Sequence, residues 1–251
     1  LTAVGLSCAA WLRRRGVAVH AAAGYSVGEL AALACAGVFT EVAAVRAAAA
    51  RGRAMHEASR QNPGKMIAVS GLTPGAVTRV LDGVLPPDQG GLAAVNAPQQ
   101  VVVSVAEALA EEVRGVLAAQ GARLTTLNVS GAWHCSLMAP ALEPYAAALE
   151  ALPLARPALP VPLNGHGESC ADPDQVRGML VEQLCRPVQW IAVVQALTRD
   201  GVDTFVELGP GNVLRGLLRR IHPDPGSYQA FCAGDLRSLE RVADALASRG
   251  S

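Results

Sequence analysis

The sequence predicts an α/β protein with a smaller α+β unit of ferredoxin-like order set into it, and three observations carry that expectation. Of the 251 residues 51% are hydrophobic but only 4% aromatic, so the core is built from Ala, Val and Leu, which suits closely packed helices on a sheet. Near the start, a run of β-branched residues and alanines passes through Gly24-Tyr25-Ser26-Val27-Gly28 into a segment of high helix propensity. Residues 64–129 then read strand, helix, strand, strand, helix, strand, the split βαβ order. The length suffices for one large domain, or one domain with an insert.

Taken in order, residues 2–15 form a helix ending at Gly16, with Arg13, Arg14 and Arg15 in the last turn, where the helix dipole favours cations. Residues 17–23 are expected as a buried strand, 29–34 as a helix, and 41–60 as a second, longer one. The character changes at Gly64. Strand 66–70, helix 74–81, strands 91–96 and 100–105, helix 106–120 and strand 123–129 make up the insert, entered near Asn62 and left near Ser130. This divides the chain into a large unit of residues 1–62 and 131–251 and a small unit of residues 63–130. A helix at 138–151, a short strand at 161–163, helices at 173–184 and 188–199, strand 204–208 and a helix from Asn212 complete the large unit.

Charge and cysteine usage exclude several classes. Basic and acidic residues balance at 21 each, so no overall field points to nucleic acid or to a membrane surface. The six cysteines are scattered without C-x-x-C or His-Cys metal spacing, a pattern of reduced thiols in a cytoplasmic protein rather than a zinc site or disulfide frame. The longest apolar stretch, 21–39, is interrupted by Ser26, Glu29 and glycines, and does not read as a membrane span. Arginines directly after the first apolar run, followed by a second strand-like run, argue against a cleavable signal.

The chemistry is expected at Ser26. Gly24-Tyr25-Ser26-Val27-Gly28 fits G-x-S-x-G in the strand-to-helix setting that the motif requires. Glycines at 24 and 28 are expected to remove clashing side chains from a strained turn. The Val27 amide, at the helix start, would face a developing oxyanion. Serine needs a base, and five histidines compete. His20 lies in the expected strand, His56 in a charged helix and His222 beside Arg219 and Arg220, all positions of packing or solvation. His166, in Gly165-His166-Gly167, stays open between function and turn. His134 sits where a strand end leads into a helix, a place that favours the neutral imidazole.

Several segments carry a resemblance when read together. Gly24-Tyr25-Ser26-Val27-Gly28-Glu29-Leu30 is followed by Cys35-Ala36-Gly37-Val38, and VSGAWHCSLMAPA surrounds His134. Further blocks are Asn96-Ala97-Pro98-Gln99-Gln100, Glu182-Gln183-Leu184-Cys185-Arg186-Pro187-Val188-Gln189-Trp190 and Glu207-Leu208-Gly209-Pro210-Gly211-Asn212-Val213-Leu214. In this order they resemble the malonyl-CoA:acyl-carrier-protein transacylase family and the related acyltransferase domains of polyketide synthases.

That resemblance implies an α/β-hydrolase-like large domain with a ferredoxin-like insert. It implies Ser26 as the acylated nucleophile, His134 as its base and Val27 in the oxyanion hole. The backbone carbonyl of Gln183 would orient the histidine, and Arg51 would pair with the free malonyl carboxylate through a two-bond fork. Tyr25 and Trp133, flanking nucleophile and base, would shape the acyl pocket, with Val27 and Trp133 favouring malonyl over methylmalonyl. Substrates would be the coenzyme A thioester malonyl-CoA and a phosphopantetheinylated acyl carrier protein, with no metal or redox cofactor, in fatty acid or polyketide synthesis. Arg186, Arg215, Arg219 and Arg220 are the expected docking patch for an acidic carrier.

The sequence also departs from the family. Tyr25 stands where the family has His, and Asn212 where it has Lys. The family's opening strand and G-Q-G loop, which supplies a second oxyanion amide, is missing before Leu1, and an incomplete chain of an active enzyme is the favoured expectation. Loss of one such donor costs about 3–4 kcal/mol of barrier. Three other readings compete: an esterase using Ser26, Asp203 and His222, the transferase component of malonate decarboxylase, and a non-catalytic carrier-binding relative.

Overall fold

Alanine-rich helices assemble where the composition places them. The computed structural model describes residues 1–222, 224 and 226–247. Helix α1 (Thr2–Arg14) buries Leu6, Cys8, Ala9 and Leu12 and closes on Arg13 and Arg14. α2 (Gly28–Cys35) lies at the centre, with Leu30 and Leu33 fully enclosed. α3 (Glu41–Gln61) starts at Thr40, whose hydroxyl accepts from the Ala43 N–H at 3.1 Å. Its buried stripe runs Ala43, Ala44, Ala47, Arg51, Ala54, Met55, Ala58. The helical repeat therefore carries Arg51 into the core between alanines too small to block it.

The insert forms as expected. β1 (Gly64–Ser70), β2 (Gly90–Ala97), β3 (Gln100–Ala106) and β4 (Arg123–Thr126) make one sheet of order β2-β3-β1-β4, antiparallel throughout. α4 (Pro74–Asp82) and α5 (Ala110–Ala119) cover one face, over Ile67, Val69, Val101, Val103 and Val105. Met66, Ala94 and Val102 point the other way, onto Val188, Trp190 and Val193 of the large unit. The two-residue period of a strand thus gives β3 two apolar faces, one per unit. We propose the division into residues 1–62 with 131–251 and 63–130 on the strength of the separate core beneath α4 and α5.

Several expected elements come out shorter or differently made. Residues 17–23 form no strand: Ala22 donates to the Pro160 carbonyl, and among the described residues no ladder continues from that bond. A strand needs a partner backbone as well as propensity. Residues 161–163 reduce to a bridge between Pro162 and Ser169, in a stretch where Pro160 and Pro162 have no N–H to give. β4 ends at Thr126, because Val129 bonds back to Leu127 and turns the chain away. The helix expected over 138–151 opens as a 3₁₀ stretch, Ser136–Ala141, before α6 (Leu142–Glu150), with Pro140 interrupting the regular pattern.

α7 (Pro173–Glu182) likewise passes into a 3₁₀ turn, Gln183–Cys185, and α8 (Trp190–Arg199) follows. β5 (Thr204–Leu208) precedes α9 (Val213–Ile221) and pairs in parallel with β6 (Gln229–Ala233), ahead of α10 (Leu236–Ala247). β6 and α10 lie beyond the last element expected from sequence. Among the described residues no helix is long and apolar enough to cross a membrane.

Candidate active site

The turn into α2 is strained at Ser26, the expected nucleophile. Ser26 has φ 52°, a left-handed conformation that costs a residue with a Cβ about 1–2 kcal/mol. Short bonds hold it: Gly28 N–H to Tyr25 C=O at 2.9 Å and Glu29 N–H to Ser26 C=O at 3.1 Å. Asn164 then clamps the turn, accepting from the Ser26 N–H at 2.7 Å through Oδ1 and donating from Nδ2 to the Gly24 carbonyl at 2.7 Å. Gly24 is required, since a Cβ there would lie 2.1 Å from the Gly28 carbonyl carbon. Gly28 is not required for space; a Cβ there meets nothing within 4 Å, which corrects the expectation of two obligatory glycines. Val27 precedes α2 as its N-cap, and its N–H has no protein acceptor among the described residues.

His134 is the second strained residue, at φ 62°, and it is 4% exposed. Its Nδ1 lies 2.9 Å from the Gln183 carbonyl, which can only accept, so Nδ1 carries the proton. Nε2 is then the acceptor facing the Ser26 hydroxyl at 2.7 Å. The imidazole is lowered to about 4, by burial first and by the neighbouring Arg51 charge second. It sits ahead of the 3₁₀ stretch Ser136–Ala141 rather than an α-helix, and the Arg51 charge takes the place of the helix dipole expected there.

Arg51 reaches the same point from α3. Its Nη2 donates to Ser26 Oγ at 3.1 Å and to Gln183 Oε1 at 3.0 Å. Behind it lies Glu29, 2% exposed, with Oε1 accepting from the Asn164 backbone N–H at 2.6 Å and from its Nδ2 at 2.8 Å. Glu29 Oε2 accepts from Gln183 Nε2. Burial pushes the Glu29 carboxyl up to about 7, against the pull of the Asn164 bonds and the Arg51 charge. A cavity of about 280 Å³ opens over Ser26, lined also by Val27, Arg51, Met55, His56 and Trp133.

The residues expected from sequence are thus largely brought together: Ser26, Val27, Arg51, Trp133, His134 and Gln183 share one site. Tyr25 does not belong to the cavity. Its hydroxyl donates to Asn96 Oδ1 at 2.9 Å and its ring meets Trp190 edge-on at 5.5 Å. The esterase arrangement is not assembled. His222 bonds to Asp224 and packs on Tyr228, and Asp203 accepts from Thr204. His20 is exposed, and His166 accepts from the Glu168 N–H in its own turn.

In the expected basic patch, Arg186 pairs with Glu182 at 3.1 Å and Arg220 donates to Gln100. Asn212 is the N-cap of α9. Sequence reasoning missed Glu29 and Asn164. The first had a signal: Glu29 shares the inward face of α2 with Leu30 and Leu33. Asn164 had none, since it acts from a loop.

Known proteins bear on this geometry. A family model described as the acyl transferase domain matches residues 1–234. The malonyl CoA-acyl carrier protein transacylase of Haemophilus influenzae is 35% identical over 225 residues, covering 89% of this chain and 71% of that protein. A stretch of the polyketide synthase GfsA of Streptomyces halstedii is 37% identical, covering 91% of this chain and 3% of that much longer protein. Among solved structures, a malonyl-transacylase in complex with a type II polyketide synthase acyl-carrier protein superposes with a TM-score of 0.91 at 32% identity, covering 97% of this chain and 79% of that one. Matches of this extent, over a chain that also holds a strained serine against a buried imidazole, place the protein in the acyl transferase domain family.

Proposed function

We propose that the protein transfers a malonyl group from malonyl-CoA to the phosphopantetheine thiol of an acyl carrier protein through a malonyl ester on Ser26. One observation carries the reading: Ser26 Oγ lies between a neutral imidazole acceptor at 2.7 Å and a guanidinium at 3.1 Å. His134 Nε2 takes the hydroxyl proton as Oγ attacks the thioester carbonyl. Negative charge builds on the carbonyl oxygen, and the Val27 N–H, free of a protein acceptor among the described residues, would stabilise it there. The tetrahedral intermediate collapses, the C–S bond breaks, and the proton on Nε2 passes to the coenzyme A thiolate. The carrier thiol repeats these steps on the serine ester, which restores Ser26.

In each half-reaction the Gln183 carbonyl keeps Nδ1–H in place and stabilises the imidazolium. A carboxylate entering the cavity meets Arg51, whose fork suits it better than it suits a methyl group. Trp133 limits the room for a branch on the acyl chain. No step needs a metal or redox cofactor, because only a proton and an acyl group move. The carrier would dock near Arg186, Arg215 and Arg219, and free thiols at all six cysteines suit a cytoplasmic setting.

The likeness to a polyketide synthase leaves fatty acid and polyketide synthesis as the two settings. The test is intact mass after exposure to malonyl-CoA. A stable malonyl adduct is expected, lost in Ser26→Ala and discharged by a phosphopantetheinylated carrier; turnover to free malonate with no adduct would point instead to a hydrolase. Arg51→Ala is expected to lower malonyl loading at least tenfold and leave acetyl loading unchanged, since about 1.4 kcal/mol of lost pairing is a factor of ten.

A further inference from the structure

Gln183 and Asn164 are primary amides with one end able to give and the other able to accept, and each has two ways round. Both are buried, at 3% and 0% exposure, so a wrong orientation is not relieved by water. Both point their nitrogen at the same carboxylate. Glu29 Oε1 takes Asn164 Nδ2–H at 2.8 Å, and Glu29 Oε2 takes Gln183 Nε2–H. An ionised carboxylate only accepts, so each amide has to show it nitrogen and turn oxygen outward. The two oxygens then arrive at the reaction centre: Asn164 Oδ1 on the Ser26 N–H at 2.7 Å, and Gln183 Oε1 on Arg51 Nη2 at 3.0 Å.

We propose that Glu29 is a positioning residue that sets the polarity of both amides, and through Gln183 aims Arg51 at the acyl carboxylate. The proposal rests on the reading that Arg51 takes that carboxylate. Besides Glu29, Asn164 is oriented by two further partners, because its Nδ2 also donates to the Gly24 carbonyl at 2.7 Å and its Oδ1 accepts from the Ser26 N–H at 2.7 Å. Gln183 has one partner at each end, the Glu29 carboxylate on its nitrogen and the donor-only Arg51 guanidinium on its oxygen. Neutralising Glu29 therefore acts first on the Gln183 side. In Glu29→Gln the new amide keeps its oxygen on Asn164 and offers NH₂ to Gln183. Gln183 then meets a donor at each end, so whichever way round it lies one pair is donor against donor, and the buried Arg51 loses its counter-charge.

The exchange Glu29→Gln with Gln183→Glu restores the pattern. The amide introduced at position 29 accepts from Asn164 and donates to the carboxylate introduced at position 183. That carboxylate in turn accepts from Arg51, with the total charge unchanged. The His134 bond is untouched, because it uses the backbone carbonyl of residue 183.

The experiment measures malonyl and acetyl loading of Ser26, each as kcat/KM, in wild type, E29Q, Q183M and the E29Q/Q183E exchange. Wild-type malonyl loading, run alongside, tests the functional reading by itself. E29Q and Q183M are expected to lose the malonyl-over-acetyl preference by about tenfold or more, the factor equivalent to one charge-assisted bond of about 1.4 kcal/mol. The exchange is expected to recover it to within about threefold, a residue of coupling of the usual size. A purely structural Glu29 would lower stability and leave the preference of the folded enzyme intact. Folded E29Q with unchanged preference overturns the proposal. Should E29Q not fold, a folded exchange variant that still lacks the preference overturns it equally.

Discussion

A base that takes a proton from a serine must be neutral beforehand, and the pKa of His134, the base proposed above, is held at about 4 by burial and by Arg51. Its neutral form is the stable one at every pH above that value, so the base is available well into mild acid. Glu29 lies the other way, raised to about 7, and it takes up a proton as the pH falls through neutrality. A protonated carboxyl among N–H donors has no partner for its own hydrogen. Acetyl loading, which leaves Arg51 idle, should stay flat from pH 8 down to about 5, the window above the value for His134. Malonyl loading should fall as the pH drops through about 7, the value for Glu29. Single-turnover acylation of Ser26 with both thioesters separates the two; one shared limb would remove Glu29 from control. At this scale Ser26, His134 and the Gln183 carbonyl were legible because each sits in a short recognisable block, and Arg51 only through the family resemblance. Glu29 passes for an ordinary acidic residue in a first helical turn, although it shares the inward face of α2 with Leu30 and Leu33. Its partner Asn164 lies 135 positions away, and no local pattern contains that pairing.

At the scale of elements, the helices up to α9 were legible, while their ends and α10 were not. Sequence places a helix at 41–60, but the buried stripe of α3 that carries Arg51 inward appears only in the structure. The breaks after Glu182 and before Leu142 depend on which carbonyl or side chain is needed nearby, as with the Gln183 carbonyl that leaves the helix pattern to meet His134. Residues 17–23 have strand composition and no ladder, since pairing is a property of two segments. The elbow shows how much one glycine can decide. Gly24→Ala drives a Cβ to 2.1 Å from backbone at Gly28, where no side chain can yield, and should abolish loading through loss of the turn. Gly28→Ala puts its methyl into open space and should leave stability unchanged or raise it by up to about 1 kcal/mol through helix propensity. Denaturant midpoints of the pair check this; an equal loss in both would mean that the turn, not the contact, rejects a side chain.

Across the whole molecule, the inserted sheet works as a wall with two different faces. The face under α4 and α5 closes a core of its own, centred on Ile67, Val101 and Val103. The opposite face touches the site: Ser104, with no exposure, donates from Oγ to the Trp133 carbonyl at 2.5 Å, next to His134 in the chain. Tyr25 reaches from the residue before the nucleophile to Asn96 on β2. The alternation along β3 therefore separates stability from catalysis residue by residue. Ile67→Ala should cost about 2–5 kcal/mol, as a large-to-small change in a closed core, yet leave loading per folded molecule unchanged. Ser104→Ala removes one oxygen and should cost less, about 1–3 kcal/mol for a buried carbonyl left without its donor. It should nevertheless slow loading, because Trp133 and the strained His134 lose their tie to the sheet. Denaturation midpoints, set beside loading rates corrected for the folded fraction, compare the two. Should Ile67→Ala slow the folded enzyme as much as Ser104→Ala, the two faces are coupled through the sheet and the insert acts on the site as one rigid body.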